Sequence, residues 1–255
     1  MLWEDPLRYI LRFAAESQGG NRGIDLGSPG PGFGDTLLAN PIPIGFIQGS
    51  GMASPLVGQS LSLEAIVTGD FQGEDQLRGF FVQEEVSDQD NDSLSSEAIF
   101  IYEGAGSLAD VQVGDRVWLS GQVAEYYRLT EITSVSELEI ISRNNPLPPP
   151  EVLYLPFPEP NYLERYEGMR ISFPQTLFAS DLFELGRYGT ILLSSHDVLS
   201  IPTQIAPPGD SARLIQALNL RDQILLDDDK FTQNAADLPY LINNPHIRRE
   251  AASRA

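Results

Sequence analysis

Residues 111–123 read Val-Gln-Val-Gly-Asp-Arg-Val-Trp-Leu-Ser-Gly-Gln-Val. Gly114 and Asp115 predict a tight turn, because both residue types favour the backbone angles of turns. Apolar residues then recur at even spacing, at Val117, Leu119 and Val123. This period of two is typical of a strand with one buried face. Gly121 removes a side chain from that strand, which favours the coiling and close backbone approach of a small barrel of the OB type.

Apolar runs on both sides of this stretch bring the number of predicted strands to five, at 61–68, 77–84, 98–102, 116–126 and 132–142. Short strands separated by turn residues at this frequency favour an antiparallel barrel over a helical or an α/β fold. Five is also the strand number of the OB fold, a Greek-key barrel. We therefore predict a mainly β protein that contains an OB-like five-stranded barrel.

Composition divides the chain into five predicted parts: an N-terminal segment and Gly/Pro-rich linker at 1–45, the OB-like barrel at 46–145, a Pro-rich linker at 146–151, a second OB-like domain at 152–230 and a polar tail at 231–255. The second linker cannot continue a sheet, because its prolines lack a backbone donor. In the first part, residues 2–15 have the apolar spacing of a short amphipathic helix.

The second domain is predicted from partial repetition of the first. Residues 187–193 resemble 78–82, and residues 222–227 resemble 97–102. Related sequence patterns indicate related structural units. No counterpart of the Val-Gly-Asp turn and its two closing strands follows Asp229. We therefore expect an incomplete OB-like β domain in a fragment of a longer protein.

The charge balance restricts the partners of this protein. The 36 acidic residues outnumber the 16 basic ones, which gives a formal net charge of −20. Such a charge disfavours DNA binding, although it leaves DNA as a candidate partner, and it opposes binding to anionic membranes.

The absence of cysteine excludes disulfides, thiolate metal sites and cysteine nucleophiles. No apolar run is long enough to span a membrane, so no membrane partner is predicted, and the N-terminus lacks the pattern of a signal peptide.

Short motifs occur in a characteristic order between residues 46 and 230: Phe46-Ile47-Gln48-Gly49-Ser50-Gly51, Val67-Thr68-Gly69-Asp70-Phe71, Gly79-Phe80-Phe81-Val82-Gln83-Glu84, Val113-Gly114-Asp115, Tyr166-Glu167-Gly168-Met169 and Gly186-Arg187-Tyr188-Gly189. As a set, they resemble the accessory region of bacterial extracellular endonucleases of the endonuclease/exonuclease/phosphatase type. The resemblance implies OB-like domains followed by a nuclease catalytic domain that uses Mg²⁺ or Mn²⁺. It also implies an extracellular or cell-surface location in bacteria and, within 1–45, the end of a lamin-tail domain.

None of the catalytic residues of that family has a counterpart in this sequence, so no catalytic residue is assigned. The two histidines, His196 and His246, are far apart and lie in no metal-ligand or nucleophile motif. The resemblance therefore implies a non-catalytic accessory region of a secreted DNA endonuclease, which supports or positions the nuclease domain. The alternative is a stand-alone extracellular binding module for calcium, polysaccharide or single-stranded nucleic acid.

An acidic loop between the second and third predicted strands is the candidate metal site. Asp88, Asp90 and Asp92 alternate along the loop, and Glu97 follows them. Alternating carboxylates resemble the first half of a Ca²⁺ loop, so Ca²⁺ is the ion that this pattern indicates. The central glycine and correctly placed glutamate of an EF-hand are missing, and acidic runs of this kind also form solvated turns.

Nucleic-acid binding by an OB barrel would use aromatic and basic side chains on strands 2 and 3 and in the adjacent loops. The candidates are Arg78, Phe81, Tyr126, Tyr127 and Arg128. The alternative for Phe81, as for Phe80 and Tyr102, is a place in the core of the barrel. The sequence 126–128 is the candidate that we expect to be exposed.

Overall fold

The computed structural model describes residues 10–12, 40–90, 92–104, 108–227, 229–230 and 232–234. The strands are β1 Ile10–Arg12, β2 Ser60–Phe71, β3 Gly79–Gln83, β4 Ala98–Tyr102, β5 Arg116–Tyr126, β6 Leu129–Ser142, β7 Glu151–Val152, β8 Ile171–Ser172, β9 Phe178–Asp181, β10 Ile191–Ser194 and β11 Ile224–Asp227. The helices are α1 Ile44–Gln48, α2 Leu185–Tyr188, α3 Pro202–Ile205, α4 Asp210–Arg221 and a 3-10 helix at Tyr162–Tyr166. The prediction of a mainly β protein is confirmed.

Strands β2 to β6 form a ring in the order β2-β3-β4-β6-β5, and β5 pairs again with β2. Neighbours in the ring are antiparallel, except that β4 and β6 are parallel and pair only at Phe100↔Glu131 and Ile101↔Ile132. Register shifts interrupt the β2/β3 and β5/β6 pairs. Because only two residue pairs join β4 to β6, the ring is an irregular, partly open barrel. A partly open Greek-key barrel of five strands is the arrangement of the OB fold.

The interior of the ring is filled by the alternate apolar residues that the period of two predicted. Val117, Leu119 and Val123 of β5 are all buried in this core, together with Phe80 and Val82 of β3. Helix α1 adds Ile44 and Ile47, both fully buried. Complete burial of each such side chain stabilises the fold by about 1.5–3 kcal/mol, so the core is the main source of stability for the barrel.

Two glycines of the 111–123 stretch have the roles expected of them. Gly114 has φ +91° in a turn, and the Asp115 carboxylate accepts hydrogen bonds from the Gln112 amide and from Arg143, each at 3.1 Å. Gly121 lies at the register shift between β5 and β6, where a Cβ would stand 2.4 Å from Ile132 Cγ2 and 3.0 Å from the Thr133 carbonyl oxygen. The close approach predicted for Gly121 is confirmed.

Outside the barrel, the described residues form two further sheets. One has the order β1-β11-β10-β9, with β1 parallel to β11, and the other pairs β7 with β8. Residues 10–12 are thus a strand, so the helix predicted over 2–15 is wrong there, and the rest of that prediction lies outside the described residues. Within the described part of the chain, no helix has both the length and the apolarity needed to cross a membrane.

We predict that Gly121→Ala destabilises the protein by about 1–3 kcal/mol, since the added methyl group overpacks the contact with Ile132. Gly186→Ala is the matched control, because a Cβ on Gly186 meets nothing within 4 Å. Urea unfolding followed by circular dichroism measures both variants. Equal midpoints for Gly121→Ala and the wild type would show that β5 does not need a glycine there.

Candidate functional site

The outer face of β3 and β4 carries an aromatic cluster. Because side chains alternate along a strand, Phe81 points away from the core that holds Phe80 and Val82. Phe81 contacts Phe100 with ring centroids 4.8 Å apart and Phe71 edge-on at 6.0 Å. These three rings are buried, and Phe81 is 7% exposed. Phe81 therefore lies in an outer cluster rather than in the core of the barrel or on the free surface.

Residues 166–170, which begin at the last residue of the 3-10 helix, cover part of this outer face. We call them the 166–170 segment. The Arg170 amide donates a hydrogen bond to Gln83 Oε1 at 3.0 Å, and Ser96 Oγ donates to the Glu167 carbonyl oxygen at 2.6 Å. Gly168 lies so close that a Cβ would be 3.1 Å from the Phe81 ring. The face that OB barrels use for ligands is thus occupied in part by the chain itself.

Glu167 places its carboxyl group in the junction between this segment and the barrel. Its Oε1 accepts hydrogen bonds from the Thr130 amide at 2.9 Å and from Gln48 Nε2 at 3.4 Å. The residue as a whole is only partly buried, but the carboxyl group is enclosed. Desolvation raises the pKa of Glu167 to about 8 and outweighs the hydrogen bond from Thr130, which acts in the opposite direction.

Two further carboxyl groups, those of Glu84 and Glu97, lie directly after β3 and directly before β4. Glu84 Oε1 accepts from the Ile44 amide at 2.7 Å, and Glu97 Oε1 accepts from the Asp90 amide at 3.2 Å. Both residues are buried, and no N–H or O–H group of the described residues reaches either Oε2. Glu84 acts on Glu97 as a neighbouring carboxyl group and favours its protonated form. Desolvation, followed by this effect of Glu84, raises the pKa of Glu97 to about 8.

The acidic loop directs its carboxylates largely toward its own chain. Asp90 Oδ1 accepts from the Asp92 amide at 2.7 Å, and Asp92 Oδ1 accepts from the Leu94 amide at 2.9 Å. Asp88 accepts from Ser87 Oγ at 3.0 Å. The bonds accepted by Asp90 and Asp92, from the backbone amide two residues on, are those of Asx turns. Among the described residues, no group of three or more carboxylates or histidines has the arrangement of a metal site. The Ca²⁺ site at Asp88, Asp90, Asp92 and Glu97 stays a prediction.

The hairpin between β5 and β6 presents an aromatic pair to solvent. Tyr127 is 89% exposed and meets the ring of Tyr126 edge-on, with centroids 4.7 Å apart. Tyr127 and Arg128 form the two-residue loop and have φ values of +49° and +70°. A loop with positive φ at both positions normally contains Asn or Gly, so a tyrosine and an arginine here impose backbone strain. Strain of this kind is concentrated at functional sites.

Arg78 and this hairpin lie at opposite ends of the β3/β4 pair, because Gly79 pairs with Tyr102, whereas β6 runs parallel to β4 and begins beside Ala98. Arg78 is exposed with φ +56° just before β3, next to Leu77, while Leu129 follows the hairpin loop. Leu77 and Leu129 both pack on the outer aromatic cluster. The structure therefore brings Tyr126, Tyr127 and Arg128 together in one hairpin, with Arg78 at the other end of the β3/β4 pair and Phe81 buried in the cluster between them.

Ser195, His196 and Asp222 give the described residues a superficial likeness to a catalytic triad. Both Ser195 Oγ and Asp222 Oδ2 approach the same imidazole atom, Nδ1, with the carboxylate 3.7 Å away. A triad needs the serine and the acid at opposite ring nitrogens, so that the ring can relay a proton. The His196 side chain is also 79% exposed. This arrangement cannot activate the serine. His246 lies outside the described residues.

The sequence singled out Glu97 but missed the roles of Glu84 and Glu167. Glu84 directly follows the strand Gly79–Gln83, all of whose residues are buried. This position next to a largely apolar strand was the signal in the sequence that the Glu84 carboxyl group is buried. Comparison with protein-family models, with curated proteins and with solved structures finds no match to this chain. The resemblance to endonuclease accessory regions therefore depends on the motifs of the sequence.

Replacing the Glu97 carboxyl group tests the effect of its burial. Because the folded pKa of Glu97 lies above the ordinary value of 4.5, its contribution to stability is full below about pH 4.5 and is lost as the pH rises to about 8. We predict that Glu97→Gln reduces this loss, since an amide does not ionise over this pH range. Thermal melts between pH 5 and pH 9 measure the effect, with exposed Glu139→Gln as control. A slope against pH equal to that of the wild type would contradict the raised pKa of Glu97.

Proposed function

We propose that this chain is a non-catalytic OB-fold accessory region of a secreted DNA endonuclease, in which it supports or positions a metal-dependent nuclease domain. The proposal depends on one observation: three of the motifs that resemble the endonuclease accessory regions contact one another where the 166–170 segment packs on the barrel. Gln48 belongs to the first motif, Gln83 to the strand motif and Glu167 to the motif at 166–169. Gln48 and Gln83 both hydrogen-bond to the 166–170 segment.

The same junction favours a supporting role over ligand binding on the outer face of the barrel. The 166–170 segment, rather than an open groove, lies against Phe81 of β3. The contacts join the barrel to the region that follows it in sequence. Such a joined unit is suited to hold a further domain in a fixed orientation, since positioning requires a rigid scaffold.

The proposal predicts that the purified chain does not cleave plasmid DNA with Mg²⁺ or Mn²⁺. Metal-assisted hydrolysis of a phosphodiester needs ligands that hold the ion and orient the attacking water, and the family's catalytic residues have no counterpart in this sequence. Agarose gels of supercoiled plasmid measure the outcome, with a commercial DNase as positive control. Cleavage that persists through stringent purification and is abolished by chelation would overturn the non-catalytic assignment.

A stand-alone binding module is the second candidate, and the strained hairpin with Tyr126, Tyr127 and Arg128 favours it. Single-stranded nucleic acids stack their bases on exposed aromatic rings and place phosphates beside basic groups. The loop between the fourth and fifth barrel strands is also one that OB folds use for oligonucleotides. The net charge of −20 opposes this binding, so it would be confined to this tip and would need enough salt to screen the repulsion from the rest of the surface.

We predict that a fluorescein-labelled oligo-dT binds weakly at physiological ionic strength and that Tyr127→Ala lowers its affinity by about 1–3 kcal/mol, the value of one base–aromatic stack. Tyr154→Ala is the matched control, because Tyr154 is 59% exposed but lies outside the barrel. Fluorescence anisotropy measures all three proteins. Equal affinities would exclude the hairpin as the binding surface, and binding of a soluble polysaccharide in place of oligo-dT would redirect the proposal to carbohydrate.

A further inference from the structure

We propose that the 166–170 segment is a pH-sensitive clasp, which is closed on the barrel while the Glu167 carboxyl carries a proton and opens when that proton is lost. This inference concerns a change of conformation within the chain. It does not depend on the proposed function, and its test needs no ligand.

The closed clasp is held by contacts with four elements of the barrel and its surroundings. Glu167 Oε1 accepts from the amide of Thr130 on β6, at 2.9 Å, and from Gln48 of α1, at 3.4 Å. Ser96, just before β4, donates to the Glu167 carbonyl oxygen at 2.6 Å, and the Arg170 amide donates to Gln83 of β3 at 3.0 Å. Apart from that of Glu167, the side chains in these bonds are neutral. The carboxyl group is therefore the one member of the network that can change charge.

The surroundings of Glu167 oppose a negative charge. Glu125 on β5 and Glu164 on the 3-10 helix act on it as like charges. The groups that hydrogen-bond to its carboxyl oxygen are the Gln48 side chain of α1 and the Thr130 amide of β6, which carry no charge. The side chains of Gln83 and Ser96, which bond to other atoms of the segment, are also uncharged. Enclosure then adds the cost of desolvating a carboxylate. Ionisation consequently favours the open conformation, in which water reaches the carboxylate.

The direction of the pH effect follows from the proton. The pKa of Glu167 is about 8 in the closed clasp and returns toward 4.5 when the segment is exposed. Between these values the closed state binds a proton that the open state lacks, so the closed state is fully favoured below about pH 4.5 and loses its advantage as the pH rises to about 8. Opening would uncover the Phe81 side of the outer aromatic cluster, against which Gly168 lies.

Amide hydrogen exchange by NMR tests the clasp directly, because the amides of Thr130 and Arg170 donate two of its hydrogen bonds. After correction for intrinsic exchange rates, we expect their protection in the wild type to fall by about tenfold per pH unit up to pH 8 and then to level off. Leu119, in the β2/β5 ladder, serves as the internal reference for the barrel and should change less. In Glu167→Gln, whose side-chain oxygen still accepts from Thr130, protection should not depend on pH in this way.

Glu139→Gln is the matched control and should behave as the wild type, since Glu139 is exposed on β6. The clasp would be overturned if the protection of Thr130 and Arg170 were independent of pH, if Leu119 lost protection in parallel, or if Glu167→Gln kept the pH dependence of the wild type. Gly168→Val provides a second test, measured at pH 6. The added valine side chain collides with Phe81, so this variant should lose the protection of the Arg170 amide but keep that of Leu119. Retained protection in that variant would also contradict the proposal.

Discussion

Strands β3 and β4 are apolar on both surfaces, and this constraint governs the arrangement of the regions around them. Phe80 and Val82 fill the interior of the barrel, whereas Phe81 and Phe100 point outward. An OB barrel with an outward aromatic face needs either a ligand or another part of the chain to keep it from water. Here the 166–170 segment lies against Phe81. The chain that follows the barrel is thereby joined to it.

Burial raises the pKa of three carboxyl groups, those of Glu84, Glu97 and Glu167. Buried carboxylates cost free energy unless they are paired with cations or hold a proton. The donors to these carboxyl groups are three backbone amides and the side-chain amide of Gln48, none of which is a cation. Protonation therefore offsets the cost of burying these groups, which makes the stability of the fold depend on pH.

The local parts of the fold could be predicted from the sequence, and the distant contacts could not. All five barrel strands lie close to where they were predicted. The period of two was readable in β5, whereas β3 and β4 were predicted as short apolar runs bounded by turn residues, because both of their surfaces are apolar. Helix α4 was missed although Asp210 in its first turn and Arg221 in its last are ordinary end signals. The parallel pairing of β1 with β11 and the docking of Glu167 join distant residues, which no local period records.

We expect residues 166–170 to stabilise the barrel by covering its outer face. Thermal unfolding of two fragments, residues 40–150 and residues 40–172, tests this at pH 6, where Glu167 is protonated. The longer fragment should unfold in one transition at a higher temperature than the shorter one. Equal melting temperatures, or a separate second transition in the longer fragment, would show that the segment does not stabilise the barrel.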